Sequence, residues 1–239
     1  MDEIYKERLN NYIKLFFSAG IEPYMQSLQK HGIVRKKNIL DVGCGPGHWT
    51  FAAAKLNPIA LVVGIDVNEY FLDFAAKYAK RNKISNCKFF KESYENLLKI
   101  FQPRSFDVIM CNNVIQYINE EKAFFIFSRL LRNGGMLIMF YNHGPGYYLH
   151  NFLLTVKTFN IKKILSRSRA TIKVLMFNNI LKYILHTKFG DHSVTLGYLR
   201  KISKEVDIIL NQIQTEPKLK YKDKFLGITY VFSCKGIKI

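Results

Sequence analysis

Acidic side chains are missing from a long part of this chain. No Asp or Glu occurs between Glu121 and Asp191, and the whole carries 36 Lys and Arg against 18 Asp and Glu, a formal net charge of +18. Residues 147–190 hold eight basic side chains and no acid, whereas 1–146 hold 19 and 13 and 191–239 hold nine and five. A field of that sign selects anionic partners: phosphorylated small molecules, nucleic acid or an acidic lipid surface. A solvated lysine-rich surface gives the same composition.

Cysteine is scarce as well. Cys44, Cys87, Cys111 and Cys234 lie far apart and form no CxxC pair, which argues against a structural zinc site. The N-terminus MDEIYKERLNNYIKLFF starts acidic and lacks a signal-peptide cleavage pattern. Both point to a reducing cytoplasm, with no metal. The longest stretch free of Lys, Arg, Asp and Glu is Asn133–Val156. It is broken by NGG and NHGPG, which punctuate a strand and a turn, so no transmembrane helix is expected. Internal repeats and low-complexity tracts are also absent.

What is present is an alternation of two patterns. Short apolar runs, NILDVG (38–43), LVVGIDV (61–67), CKFF (87–90), FDVIMC (106–111) and MLIMFY (136–141), read as buried parallel strands. Between them lie helical segments: HWTFAAAKL, NEYFLDFAAKYAKRN with Asn68 as N-cap, YENLLKIF, and NEEKAFFIFSRLLRNGG with Gly134 as its stop. Strand and helix units of this length imply a doubly wound α/β sheet covered on both faces. At 239 residues the chain suits one domain, 1–239, carrying an insertion.

The first strand ends in ILDVGCGPGHW, with Gly43, Gly45 and Gly47 at every second position. Glycines there let the backbone turn sharply and come against a ligand where a Cβ would collide. The helix that begins near His48 offers unpaired N–H groups to an anion. Asp66 closes the second strand, 19 residues after Gly47, where a carboxylate can accept both hydroxyls of a ribose.

The spacing is GxGxG rather than the dinucleotide GxGxxG, and Asp41 stands two residues before the first glycine. In this the chain resembles the class I S-adenosylmethionine-dependent methyltransferases, over about residues 37–142. The resemblance implies a seven-stranded, mostly parallel Rossmann-like sheet with its last strand antiparallel. It implies S-adenosylmethionine as cofactor, with S-adenosylhomocysteine as product. It places Asp41, Gly43, Cys44, Gly45 and Gly47 at the methionine part of the cofactor, with His48 and Trp49 at the head of the following helix. Asp66 falls on the ribose and Val67 beside the adenine. In CKFFKESYENL the family's adenine-binding Asp is replaced, so either Glu92 substitutes or Ser93 and the Tyr94 backbone hold the base. In SFDVIMCNNVIQYI, Asn112 falls near the methionine end, and Asn113 and Tyr117 face the transfer site. LLRNGGMLIMF matches the family's Gly-Gly turn and fifth strand.

Several of these residues have plainer roles open to them. Asp107 reads as a strand cap, Tyr117 equally as a packing aromatic, and Cys44 and Cys111 as small buried apolar groups.

After the fifth strand, 147–190 is longer than a sheet connection needs. Its apolar residues at helical spacing, such as Leu149, Phe152, Leu153 and Val156, predict basic amphipathic helices. The resemblance implies a lid that chooses the substrate, with His143 and Tyr147 near it. Membrane-surface contact, with the protein peripheral to the inner face of a membrane, and packing on the sheet edge are the alternatives. Residues 191–239 read as a closing helix and two final strands, and 1–34 as helices, which the resemblance implies close over the cofactor, with Tyr5 and Tyr12 as candidate substrate contacts.

The function expected is methyl transfer to O or N of an anionic small molecule or glycan precursor, with His143 as first candidate base and Tyr117 as second. An RNA or other macromolecular methyltransferase and a non-catalytic membrane-surface module are the competing readings. The fourth motif, CNNVI, is not the NPPY type tied to base amino groups.

Overall fold

A computed structural model describes residues 3–143, 145–157, 161, 164, 168, 171, 194–213, 224–225, 228–229 and 231–239. Most of the predicted insertion lies outside the described residues, and so does the KLKYKDK connection up to Lys224.

Helices α1 (Glu3–Phe17) and α2 (Glu22–Lys30) come first. Then strand and helix alternate: β1 (Asn38–Val42), α3 (His48–Leu56), β2 (Leu61–Asp66), α4 (Glu69–Arg81), β3 (Cys87–Lys91), α5 (Leu97–Ile100), β4 (Phe106–Met110), α6 (Glu120–Leu130) and β5 (Leu131–His143). The chain continues through α7 (Pro145–Val156), α8 (Leu196–Lys204), β6 (Ile208–Ile213), the short β7 (Lys224–Phe225) and β8 (Ile228–Thr229), and β9 (Val231–Lys238). Seven strands form one mostly parallel sheet in the order β3-β2-β1-β4-β5-β9-β6. Strands β7 and β8 pair antiparallel by themselves, with Phe225 opposite Ile228.

The chain divides into two compact units. The first holds Met1–Cys111, Ile126–Leu137 and Lys238; the second holds Asn112–Phe125, Ile138–Ile237 and Ile239.

In the first unit, β1 runs parallel to β2, with Leu40 beside Val63, and parallel to β4, with Leu40 beside Ile109. Ile39, Leu40, Val62 and Ile109 are buried, as expected for strands covered on both faces. Asn68 caps α4 as its sequence predicts, its side chain accepting the Tyr70 N–H at 3.1 Å. Asp107 takes the structural role: its carboxylate accepts the N–H groups of Lys37 at 2.6 Å and Asn38 at 3.2 Å, and pairs with Arg132 at 2.9 Å.

Three local expectations shift. The CKFF run is the sheet edge rather than an interior strand, so Phe90 is 48% exposed. Helix α6 stops at Leu130, ahead of Gly134, which turns the chain at φ +72°. The LGITYVF stretch is not one strand: β8 ends at Thr229 and β9 begins at Val231.

Helix α1 is held on the first unit by aromatic contacts. Phe17 meets Phe51, Phe74 and Tyr78 at 4.8–6.3 Å between ring centroids, and Tyr70 of α4 donates its hydroxyl to Asn10 at 2.8 Å.

Candidate functional site

In the first unit the glycine loop joins β1 to α3 with left-handed backbone at each glycine: φ is +68° at Gly43, +53° at Gly45 and +89° at Gly47. Two of these positions have separate reasons to lack a side chain. A Cβ on Gly47 would lie 2.9 Å from the Phe51 ring, so this glycine serves the packing of α3. A Cβ on Gly45 would meet no heavy atom within 4 Å, so its face of the loop is open. A bare loop open at that point is what a closely approaching ligand requires.

Asp66 braces the loop. Its carboxylate accepts the Gly45 N–H at 2.8 Å and the Asn68 N–H at 2.8 Å. Partial burial raises its pKa, against those N–H groups, which lower it. A half-buried carboxylate beside an open glycine backbone can accept further hydroxyl donors. Val67, which follows, is 68% exposed.

Asp41 lies beneath the loop, 1% exposed, and accepts the Thr50 hydroxyl at 2.6 Å, which ties α3 to β1. Burial lifts its pKa to about 7 against the Thr50 hydrogen bond, with the charge of Asp66 adding to the rise. The Cys44 side chain is buried as well, and its N–H donates to Ile65 at 2.9 Å. Burial pushes its thiol pKa up, which suits packing rather than reaction.

His48 and Trp49 open α3 with their side chains turned into an aromatic cluster. His48 stacks on Phe16 at 4.5 Å and lies 4.8 Å from Tyr24, and Trp49 meets Tyr24 edge-on at 4.8 Å. Burial lowers the His48 pKa to about 3, and its Nδ1 has no partner among the described residues. Both stand in the first turn of α3, so a ligand there would meet the backbone at the helix start rather than these rings.

At the end of β3, Glu92 Oε1 accepts the N–H of Ser93 and the side-chain amide of Asn96, each at 2.8 Å. Those two bonds, Asn96 first, lower the Glu92 pKa. The Ser93 hydroxyl accepts the Glu95 N–H at 3.4 Å, and Tyr94 begins the short helical turn that follows. Sequence reasoning missed Lys91, which stands opposite Asp66 in the β2–β3 register and pairs with Glu69 at 2.7 Å.

On α1, Tyr12 packs its ring 4.5 Å from Phe16 and 5.3 Å from Phe71, while Tyr5 is exposed. Phe16 and Phe71 were not singled out from sequence, although the Tyr12–Phe16 spacing of one helical turn was a legible signal.

The remaining candidates belong to the second unit. Asn112 accepts the Phe140 N–H through Oδ1 at 2.9 Å, and its buried Nδ2 has no partner among the described residues. Asn113 has φ +57°, donates its N–H to the Phe140 carbonyl at 2.8 Å, and accepts the Gln116 amide at 2.6 Å. Gln116 is fully buried and was missed, since nothing in its local pattern marks it as buried. Tyr117 is 47% exposed. His143 ends β5 with its ring stacked on Tyr147 at 3.8 Å and 12°. Burial lowers the His143 pKa to about 4, so the imidazole is neutral at pH 7. Among the described residues no group of three or more His, Cys, Asp or Glu is placed to hold a metal ion.

Residues 33–143 match a family described as a methyltransferase domain. A ubiquinone biosynthesis O-methyltransferase of Neisseria meningitidis is 31% identical over 122 residues, which cover half of each chain. An uncharacterized protein of Rickettsia prowazekii is 24% identical over 201 residues, 81% of this chain and 78% of that one. A solved structure of Haemonchus contortus phosphoethanolamine N-methyltransferase 2 in complex with S-adenosyl-L-methionine superposes with a TM-score of 0.63 at 17% identity, over 94% of this chain and 55% of that one. Residues 33–143 thus carry a likeness to a methyltransferase domain, and the seven-stranded sheet with its glycine loop after β1 lies in that part of the chain and beyond it.

Proposed function

We propose that this protein transfers a methyl group from S-adenosylmethionine to an oxygen or nitrogen of an anionic small molecule or of a sugar or glycan precursor. The observation that carries this reading is the open backbone at Gly45 beside the Asp66 carboxylate. In it, Asp66 takes the ribose hydroxyls and the Gly43–Gly47 loop lies along the cofactor, with Asp41 fixing the loop from below. Val67 flanks the adenine, and Glu92 or Ser93 with Tyr94 meets its amino group. Asn112 serves the methionine end. Asn113, Tyr117, His143 and Tyr147 serve the acceptor.

The cofactor supplies a methyl on a sulfonium that already carries a good leaving group. The protein has to align the acceptor and exclude water, which is worth on the order of 7 to 11 kcal/mol in favourable cases. For a hydroxyl acceptor, His143 takes the proton on a ring nitrogen, and its lowered pKa keeps it in the accepting form at pH 7. An amine acceptor can lose its proton to water.

The net charge of +18 supports an anionic acceptor. The Haemonchus neighbour is named for phosphoethanolamine, a compound of that class. The test is a labelled-methyl assay against fractionated cell extract, with Asp66→Ala as control. Label should enter the anionic small-molecule fraction with the wild type alone. Label confined to RNA, or absent from every fraction while calorimetry shows cofactor binding, overturns the reading.

A further inference from the structure

The loop after β4 is clamped at three points, all within the second unit. The Asn112 side chain accepts the Phe140 N–H at 2.9 Å, and the Phe140 carbonyl accepts the Asn113 N–H at 2.8 Å, so both backbone groups of one β5 residue hold this loop. The third clamp acts on a side chain. From the short helical turn Ile115–Tyr117, Gln116 Nε2 donates to Asn113 Oδ1 at 2.6 Å. Asn113 itself stands at φ +57°, a backbone conformation that a residue other than glycine adopts where its surroundings hold it.

Folding alone does not call for a glutamine at position 116. Its side chain is fully buried, and its Oε1 has no hydrogen-bond partner among the described residues. An orphaned carbonyl oxygen costs stability that an apolar side chain of the same length would keep. What the glutamine amide gains is its bond to Asn113. With Oδ1 taken, the Asn113 amide is held in one orientation, and Nδ2 is the end left to donate, on a residue that is only half-buried. A fixed N–H selects by polarity: it takes an oxygen acceptor and offers nothing to a cation or a hydrocarbon.

We propose that Gln116 is a positioning residue of the acceptor site, locking the Asn113 side chain so that Nδ2 donates to an anionic oxygen, carboxylate or phosphate, of the molecule being methylated. This rests on methyl transfer at that site and adds the pair of residues that selects the acceptor's charge. The left-handed backbone of Asn113 and the orphaned oxygen of Gln116 are then two stability costs borne for one fixed donor.

Kinetics of the full chain test it, with label from S-adenosylmethionine followed into increasing amounts of the anionic small-molecule fraction of cell extract. Gln116→Met keeps length and burial and removes both the donor and the orphaned oxygen. It should raise the apparent KM for that fraction about tenfold with kcat changed less, at a melting temperature equal to the wild type's or higher. A packing role predicts early melting at unchanged KM, and that result overturns the proposal. Asn113→Gly keeps the left-handed backbone, which glycine adopts freely, and should raise KM to a similar degree. In that background Gln116→Met should add nothing, since it acts through Asn113, and a further rise in KM overturns the proposal. If Gln116→Met does not fold, Asn113→Asp decides: it keeps an oxygen for Gln116 and sets a negative charge against the anion, so an unchanged KM overturns the proposal. A wild type that labels no fraction defeats methyl transfer instead, and the pair is then read by NMR. The Asn113 side-chain amide of isotope-labelled protein should be ordered in the wild type and loosened in Gln116→Met, and equal order in both overturns the positioning role.

Discussion

The Gly45 amide donates to the Asp66 carboxylate over 2.8 Å, joining the loop after β1 to the end of β2 across 21 positions of sequence. That one hydrogen bond holds an open glycine backbone against the acid that closes the neighbouring strand. Asp66→Ala removes both the brace and the acceptor for a sugar diol, whereas Asp66→Asn keeps one accepting oxygen. Calorimetry with S-adenosylhomocysteine should give an affinity loss of about tenfold for the Asn variant and about a hundredfold for the Ala variant. Equal affinity in all three proteins would remove Asp66 from the site.

The two glycines should separate binding from folding. Gly45→Ala puts its methyl in open space at φ +53°, at a backbone cost of about 1 to 2 kcal/mol, and blocks the ligand's approach. Gly47→Ala drives its methyl against the Phe51 ring. Cofactor affinity should therefore fall more for Gly45→Ala and thermal stability more for Gly47→Ala. The reverse order would contradict the assignment of the open face.

Asp41 makes stability depend on pH. Its folded pKa of about 7 lies above the ordinary 3.8, so its protonated form is the one the fold favours. The stability it contributes is fully present below about pH 4 and is lost as pH rises through about 7. Asp41→Asn still accepts the Thr50 hydroxyl and cannot ionise. Melting temperatures taken between pH 4 and 8 should fall with pH more steeply for the wild type than for this variant.

His48 acts in the opposite direction. Burial depresses its pKa from 6.5 to about 3, so the stability tied to its neutral form is present above pH 6.5 and lost progressively as pH falls toward 3. At pH 5 the loss is on the order of 2 kcal/mol. His48→Phe keeps an aromatic ring against Phe16 and Tyr24. Denaturant midpoints should show it gaining on the wild type below pH 6, and parallel curves would count against the buried neutral imidazole.

His143 as base predicts a shape for the pH–rate profile. With the imidazole pKa lowered to about 4, activity on a hydroxyl acceptor should hold as pH falls through 6.5 and decline only near 4. His143→Ala should cost about a hundredfold or more in kcat with cofactor affinity kept. An acid limb near 6.5 that disappears in this variant would show a solvated imidazole instead. No effect of the substitution on rate would move the proton to another group.

Residues close in sequence declared much of this molecule in advance. The alternation of strand and helix, the Asn68 cap, the bend at Gly43, Gly45 and Gly47 and the acid at Asp66 all follow from short-range sterics and from the periods of two and 3.6. So does the strand-cap role of Asp107. What the sequence did not disclose depends on neighbours far along the chain. Phe90 looks like an interior strand residue until the strand order places β3 at the sheet edge. Gln116 looks like a surface amide until burial and the 2.6 Å bond to Asn113 fix it.

The sequence by itself determined the likeness to methyltransferases, the sheet's rhythm and the one-signed charge of 147–190, because each is written in spacing and composition. Tertiary structure alone decided that Asp66 grips the Gly45 amide, that His48 and Trp49 turn their rings into an aromatic cluster, and that the Asn112 side chain takes the Phe140 N–H. Those facts arise from register and packing between segments far apart in the chain, and no local pattern encodes which surfaces meet.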